Sequence, residues 1–370
     1  MHNLTQTELS YLAGIWEAEG SFGIQQKTVN QKTAFSSYIS LANTNQALMD
    51  RVIELLTKME IEVYTRTRDR HIGRKQMSEV SISKLVGREN MLCTLLPYLE
   101  GKKAVATEVL KFVRHRISVE KNRISNKGSY SFSAIDNDIY SRTKELNARG
   151  SAKFGDVEPI YQEMLNVSEA DLGYLSGLYD GEGCFTIAHV NNQLRLMCTF
   201  TNCDPNIVSR VISILKALGI KHRCKKGCRK NKQPAYVVGI YSLEAGYKLL
   251  SLLEDRVFGK KQIIGLVKNF VSKRMAKLSE VGRYHSIPYS TDEFALYDQV
   301  RIINQRGLRL PVEQSAEKQS RELLETPNSE MRRTISSEAS KEERSTTMAT
   351  ASRIKRSEAR DSLIRDEDIV

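Results

Sequence analysis

The chain reads as an α+β protein made from one unit used twice, two pseudo-symmetric αββαββα repeats. Three observations predict this. A short stretch recurs at a constant offset, the same order of helical and strand patterns follows each copy, and each copy carries a basic hairpin in the same place.

The recurring stretch is Leu12-Ala13-Gly14-Ile15-Trp16-Glu17-Ala18-Glu19-Gly20 in the first copy and Leu175-Ser176-Gly177-Leu178-Tyr179-Asp180-Gly181-Glu182-Gly183 in the second. A capping signature stands one turn earlier in both, Thr5 with Glu8 and Ser168 with Asp171. There the hydroxyl covers a free backbone N–H and the acid faces the positive end of the helix dipole. Small residues four apart (Gly14 and Ala18; Gly177 and Gly181) share one face, so two such helices can meet with their backbones almost touching. The Gly that follows each carboxylate predicts a left-handed helix ending. If the helices pack together, Glu19 and Glu182 meet at the foot of the joint. Two acids at helix C-termini face the wrong end of the dipole and repel each other, which a purely structural joint would avoid and a divalent-cation site would need.

The elements follow in order. Phe22–Val29 and Phe35–Ala42 alternate as strands, and Asn45 caps an amphipathic helix from Ala47 to Met59. Glu62–Arg68 and Met77–Ser83 pair as a hairpin, and Leu85–Leu99 and Lys102–Val119 are helical. The second copy places strands at Cys184–His189 and Arg195–Asn202, then a helix from Pro205 to Leu218 capped by Asp204. Its hairpin is Ile220–Lys226 with Ala235–Tyr241, and its helices are Leu243–Leu253 and Lys260–Met275. A shared helix ending, Asn147-Ala148-Arg149-Gly150 and Asn304-Gln305-Arg306-Gly307, closes each copy. The domains are therefore 1–150 and 168–307, joined by a linker at 151–167 with a short helical patch at Tyr161–Leu165. A charged tail at 308–370 has few large apolar residues, and its composition predicts disorder or loose helix.

The chain has 370 residues and a net charge of +12. Residues 311–370 hold 11 Lys+Arg against 13 Asp+Glu, so residues 1–310 carry +14 and predict a polyanionic partner. Six cysteines show no framework spacing and read as reduced thiols of an intracellular protein. No secretory signal, transit peptide or membrane-length apolar run is evident. A phage or bacterial cytoplasm and an organelle are both compatible with this. His222, Cys224 and Cys228 lack a fourth ligand and a clean zinc spacing.

Hard cations such as Mg²⁺ are held by one or two carboxylates plus phosphate oxygens, so a facing pair of acids is a sufficient protein contribution. Such an ion lowers the pKa of bound water and clamps the attacking and leaving oxygens of a phosphodiester. Glu17 and Asp180, two positions before the acids, point elsewhere and read as solvated or structural, and Asn43 and Asn202 read as turn residues.

The paired stretches resemble the LAGLIDADG motif of homing endonucleases in its single-chain, two-motif form. Leu12, Ala13 and Gly14 match in one copy, and Leu175, Gly177 and Leu178 in the other. The resemblance implies a saddle of two antiparallel sheets over DNA, with Glu19 and Glu182 at the metal-binding eighth position of each motif. It further implies a monomeric, site-specific double-strand DNA endonuclease of an intron or mobile element, using Mg²⁺ or another divalent ion such as Mn²⁺. A lysine of each repeat would approach the site. Lys103 and Lys261 are the expected pair, though spacing does not separate them from Lys102 and Lys260. The alternative on the same scaffold is a maturase that binds group I intron RNA with weak or no cleavage. The retained acids favour the nuclease.

A basic β-surface fits the major groove, where base edges are distinguishable. The expected DNA contacts are Gln25, Lys27, Tyr38, Arg66, Arg68, Arg70, Arg74 and Lys75 in the first repeat. In the second they are Arg195, Arg223, Lys225, Lys226, Arg229, Lys230 and Lys232. Seven of the twelve residues 221–232 are Lys or Arg, which predicts phosphate contacts and steep salt dependence.

Overall fold

The repeat seen in the sequence is a repeat of topology. The first copy runs α1 (Gln6–Glu19), β1 (Gly20–Val29), β2 (Lys32–Asn43), α2 (Gln46–Lys58), β3 (Val63–Arg68), β4 (Met77–Ile82), α3 (Leu85–Leu95), α4 (Lys103–Asn126) and α5 (Ala134–Leu146). The second runs α6 (Glu169–Glu182), β5 (Cys184–Val190), β6 (Gln193–Asn202), α7 (Pro205–Ala217), β7 (Arg223–Gly227), β8 (Ala235–Ile240), α8 (Leu243–Leu253), α9 (Lys261–Val281) and α10 (Thr291–Asn304). These elements come from a computed structural model that describes residues 4–29, 32–68, 75–126, 132–148, 158–161, 163–227, 234–281 and 287–305. All of them fall in one unit, Met1–Gly307. The tail at 308–370 lies outside the described residues. The helical patch expected at Tyr161–Leu165 is absent; the described residues there are irregular. No helix among the described residues is long and apolar enough to cross a membrane.

Each repeat folds into a four-stranded antiparallel sheet, ordered β1-β2-β4-β3 and β5-β6-β8-β7. One face of each sheet lies under helices. Phe22, Phe35, Ile39 and Leu41 fill the first core, and Phe185, Leu196, Phe200 and Val238 the second. Alternation leaves Ser21, Gln25 and Lys27 on the other face of the first sheet, paired with Ser40, Ser36 and Ala34.

Both expected capping boxes form, Thr5 with Glu8 and Ser168 with Asp171. Two more, Ser133 with Asp136 and Ser290 with Glu293, start α5 and α10. The shared helix endings do the same work in both copies. Asn147 Nδ2 donates to the Phe22 carbonyl at 3.0 Å and Asn304 Nδ2 to the Phe185 carbonyl at 2.9 Å, tying the last helix of each repeat to its first strand.

The repeats meet along α1 and α6. A Cβ on Gly14 would strike the Tyr174 carbonyl and lie 2.9 Å from the Leu178 nitrogen, and one on Gly177 would strike the Tyr11 carbonyl and lie 2.9 Å from the Ile15 nitrogen. Backbone therefore touches backbone. The glycines that end these helices are not left-handed as expected. Gly20 (φ −79°, ψ 161°) and Gly183 (φ −65°, ψ 145°) are already extended. Their lack of a side chain serves packing instead, since a Cβ would collide with the Trp16 ring at Gly20 and with Tyr179 at Gly183.

Candidate active site and nucleic-acid face

Glu19 is the last residue of α1 and Glu182 the last of α6, and a strand begins within two residues of each. Both side chains are half-buried at the foot of the joint. A Cβ on Gly181 would stand 3.3 Å from Glu19 Cγ, so the absence of a side chain there gives Glu19 its place against the partner helix. Burial raises the Glu19 carboxyl, with Lys260 and Lys102 opposing. Burial likewise pushes Glu182 up to about 7, and the neighbouring Glu19 charge adds to the rise.

The acids one turn-face away organise this arrangement. Glu17 is buried and accepts the backbone N–H of Glu100 and, at 3.0 Å, of Lys102. Asp180 does the same for the second repeat. It accepts the N–H groups of Phe258, Gly259 and Lys260 at 2.7, 3.0 and 2.9 Å and the Tyr11 hydroxyl at 2.7 Å. Each therefore captures the unpaired donors ahead of α4 or α9 and pins that helix start to the joint. Of the two roles open to Glu17 and Asp180, the structural one is what the geometry displays.

That pinning decides which lysine turns inward. Lys102 Nζ donates to the carbonyls of Trp16 (2.8 Å) and Gly20 (2.7 Å), and Lys260 Nζ to those of Tyr179 (2.9 Å) and Gly181 (2.8 Å). An ammonium at a helix C-terminus suits the dipole and offsets the misplaced acids. Burial pushes Lys260 down to about 8 although Asp180, Glu19 and Glu182 pull it up. Lys103 and Lys261, the expected pair, are the exposed first residues of α4 and α9. The amines brought to the acids are those of Lys102 and Lys260.

The second site has one more group. Asn202 keeps its expected turn role, its Oδ1 accepting the Asp204 N–H at 2.8 Å, and its Nδ2 donates to Glu182 at 2.7 Å. Among the described residues Asn43 has the turn bond only, accepting the Asn45 N–H at 2.9 Å. Among the described residues no group of three or more His, Cys, Asp or Glu side chains could hold a metal ion.

On the open face of the first sheet the register aligns Gln25 with Ser36 and Lys27 with Ala34, and Tyr38 lies over Gly23. Arg66 and Arg68 are exposed on β3, and Lys75 is exposed two residues ahead of β4. In the second sheet Arg195, Arg223 and Lys225 share the open face with Ala188, Gly239 and Val237. Lys226 does not. It alternates to the helix side, paired with the buried Tyr236, and its Nζ contacts Glu158 at 2.9 Å. The strand period of two, applied to residues 223–226, would have separated it from Arg223 and Lys225. Arg70, Arg74, Arg229, Lys230 and Lys232 lie outside the described residues. Glu79, an acid on the same open face as Arg66 and Arg68, was not anticipated.

Two helices joined through bare glycine backbone, twin acids at their feet and an open sheet on each repeat define a two-repeat LAGLIDADG-like architecture. The family pattern described as a LAGLIDADG-like domain matches residues 6–92 and again 169–254. The chain belongs to the LAGLIDADG family in its two-motif form. No curated protein matches it by sequence. Solved structures share the fold at low identity. The I-LtrWI homing endonuclease bound to target DNA aligns with TM-score 0.56 and 15% identity over 81% of this chain and 98% of that one. The I-AabMI meganuclease bound to uncleaved DNA aligns with TM-score 0.54 and 19% identity over 81% and 99%. I-SmaMI, bound to an uncleaved DNA target in the presence of calcium ions, aligns with TM-score 0.55 and 13% identity over 82% and 100%.

Proposed function

We propose that this protein is a monomeric, divalent-metal-dependent, site-specific endonuclease that cuts both strands of duplex DNA. The observation that carries this reading is the placement of Glu19 and Glu182 as the half-buried last residues of α1 and α6, at the foot of the joint the two helices form. Two hard oxygen donors of raised pKa fit a small divalent cation such as Mg²⁺ or Mn²⁺, whose remaining coordination would come from phosphate oxygens and water. Glu19 and Glu182 would hold it, and bound there it supplies an acidified water and charge neutralisation at the scissile phosphate. Lys102 and Lys260 place positive charge beside that phosphate, where negative charge develops. With its pKa near 8, Lys260 is also suited to give a proton to a leaving oxygen near neutral pH. Asn202 holds the Glu182 carboxylate in one orientation. The paired acids favour this reading over intron-RNA maturation, which has no need of them.

The test uses Glu19→Gln and Glu182→Gln. Each removes a charge without changing shape, and each is expected to abolish double-strand cleavage while leaving duplex binding largely intact. Normal cutting of both strands by either variant with Mg²⁺ would refute the assignment. The uninterrupted DNA flanking the gene is the substrate to try first.

A further inference from the structure

The two open faces hold their cations differently. In the first repeat Arg66 stands directly across the ladder from Glu79, and Arg68 stands two residues further along the same face. Both guanidinium groups reach Glu79 Oε2, at 3.1 Å from Arg66 and 2.5 Å from Arg68. In the second repeat the equivalent position is Val237. Glu79 pairs with Ala42, just before Asn43, and Val237 pairs with Thr201, just before Asn202. Lys225, across from Val237, therefore has no carboxylate opposite it. Beside it β6 runs past the end of β8, which pairs only with Cys198–Asn202. A cavity of about 1090 Å³ opens there, lined by Arg195, Lys221, Arg223 and Lys225 and, among the described residues, by no Asp or Glu.

The physical consequences differ. Unopposed Lys and Arg side chains follow phosphates, releasing counterions and supplying affinity without sequence choice. A guanidinium held by a carboxylate has lost that freedom before binding, so its remaining N–H groups present a fixed fork of the kind that reads guanine O6 and N7. Glu79 also halves the net charge of the Arg66–Glu79–Arg68 group, which lowers its pull on phosphate.

We infer that the two repeats divide the work on a bound duplex: the second grips the backbone, the first discriminates bases, and Glu79 is the residue that sets that discrimination. This rests on the DNA-binding reading above.

The experiment uses the full chain and two variants, Glu79→Gln, which keeps the shape and frees both arginines, and Val237→Glu, which sets a carboxylate opposite Lys225. Binding to a random-sequence duplex is measured across salt, and base preference by selection from a randomised duplex library. Glu79→Gln is expected to steepen the slope of log Kobs against log salt by about 1 to 2, at ~0.9 per phosphate gained. It should also flatten the preference in one half of the selected site by about tenfold. Val237→Glu is expected to make the slope shallower by about 1 and leave that half unchanged. An unaltered slope and an unaltered preference in Glu79→Gln overturn the inference. A wild-type chain that binds no duplex overturns the DNA-binding reading itself.

Discussion

The two repeats share a plan and differ in how tightly each ties down its own acid. Asp180 takes four donors, one of them the Tyr11 hydroxyl from the other repeat, where Glu17 takes two. Glu182 accepts a side-chain hydrogen bond from Asn202, and Glu19 has no counterpart to it among the described residues. A duplicated scaffold has thus kept the placement of its acids and let their surroundings diverge. The second half of the site is held the more rigidly.

The largest test of that difference is removal of the two pinning acids. Asp180→Ala leaves three backbone N–H groups and a hydroxyl buried without an acceptor, and is expected to cost about 3–5 kcal/mol in urea unfolding. Glu17→Ala leaves two and is expected to cost about 2–3 kcal/mol. Equal losses would mean that the two helix starts are tied equally well.

Next comes pH. The folded pKa of Glu182 lies near 7, above its usual 4.5, so the folded state holds that proton more tightly than the unfolded one. Its stabilising contribution is complete below about pH 4.5 and is lost as pH rises through about 7. In chelator, thermal unfolding should show the chain weaker at pH 8 than at pH 5 by about 1–3 kcal/mol. Glu182→Gln should remove only part of that dependence, because burial also pushes Glu17 up to about 7 and its contribution is lost over the same interval. A chain that gains stability over this interval would contradict the burial of the pair.

The smallest effect belongs to Asn202. Asn202→Ala should slow cleavage of one strand by about tenfold, as expected for loss of one hydrogen bond to a charged group, and shift the order of nicking on an end-labelled duplex. Asn43→Ala should leave that order as it is. Identical nicking by the two variants would place the asymmetry elsewhere.

The placement of the acids at the helix ends, the capping boxes and the shared helix ending at Asn147 and Asn304 were legible because each is local or doubled, so that one copy vouches for the other; the ties those asparagines make to the first strand of each repeat were not. The inward lysine was not. Lys102 and Lys103 are chemically alike, and tertiary contacts separate them: Glu17, 85 residues away, takes the Lys102 N–H, and the Lys102 amine meets the Trp16 and Gly20 carbonyls. Gly20 and Gly183 were read as left-handed turns because glycine after a helix most often is one. The Trp16 and Tyr179 rings that exclude a Cβ there belong to tertiary packing. Glu79 escaped notice because an acid on a surface read as DNA-facing looks out of place until the strand register sets it against Arg66.

The passage from α1 into β1 has no intervening loop: Glu19 ends the helix and Gly20 opens the strand. On the proposed function, the cutting group and the reading surface would be successive marks on one stiff ruler. A strand advances about 3.3 Å per residue and duplex DNA about 3.4 Å per base pair. Two residues inserted in β1 would keep the alternation of faces and offset the strand beyond them by about two base steps, so that the proposed nuclease would cut out of frame with what it recognises.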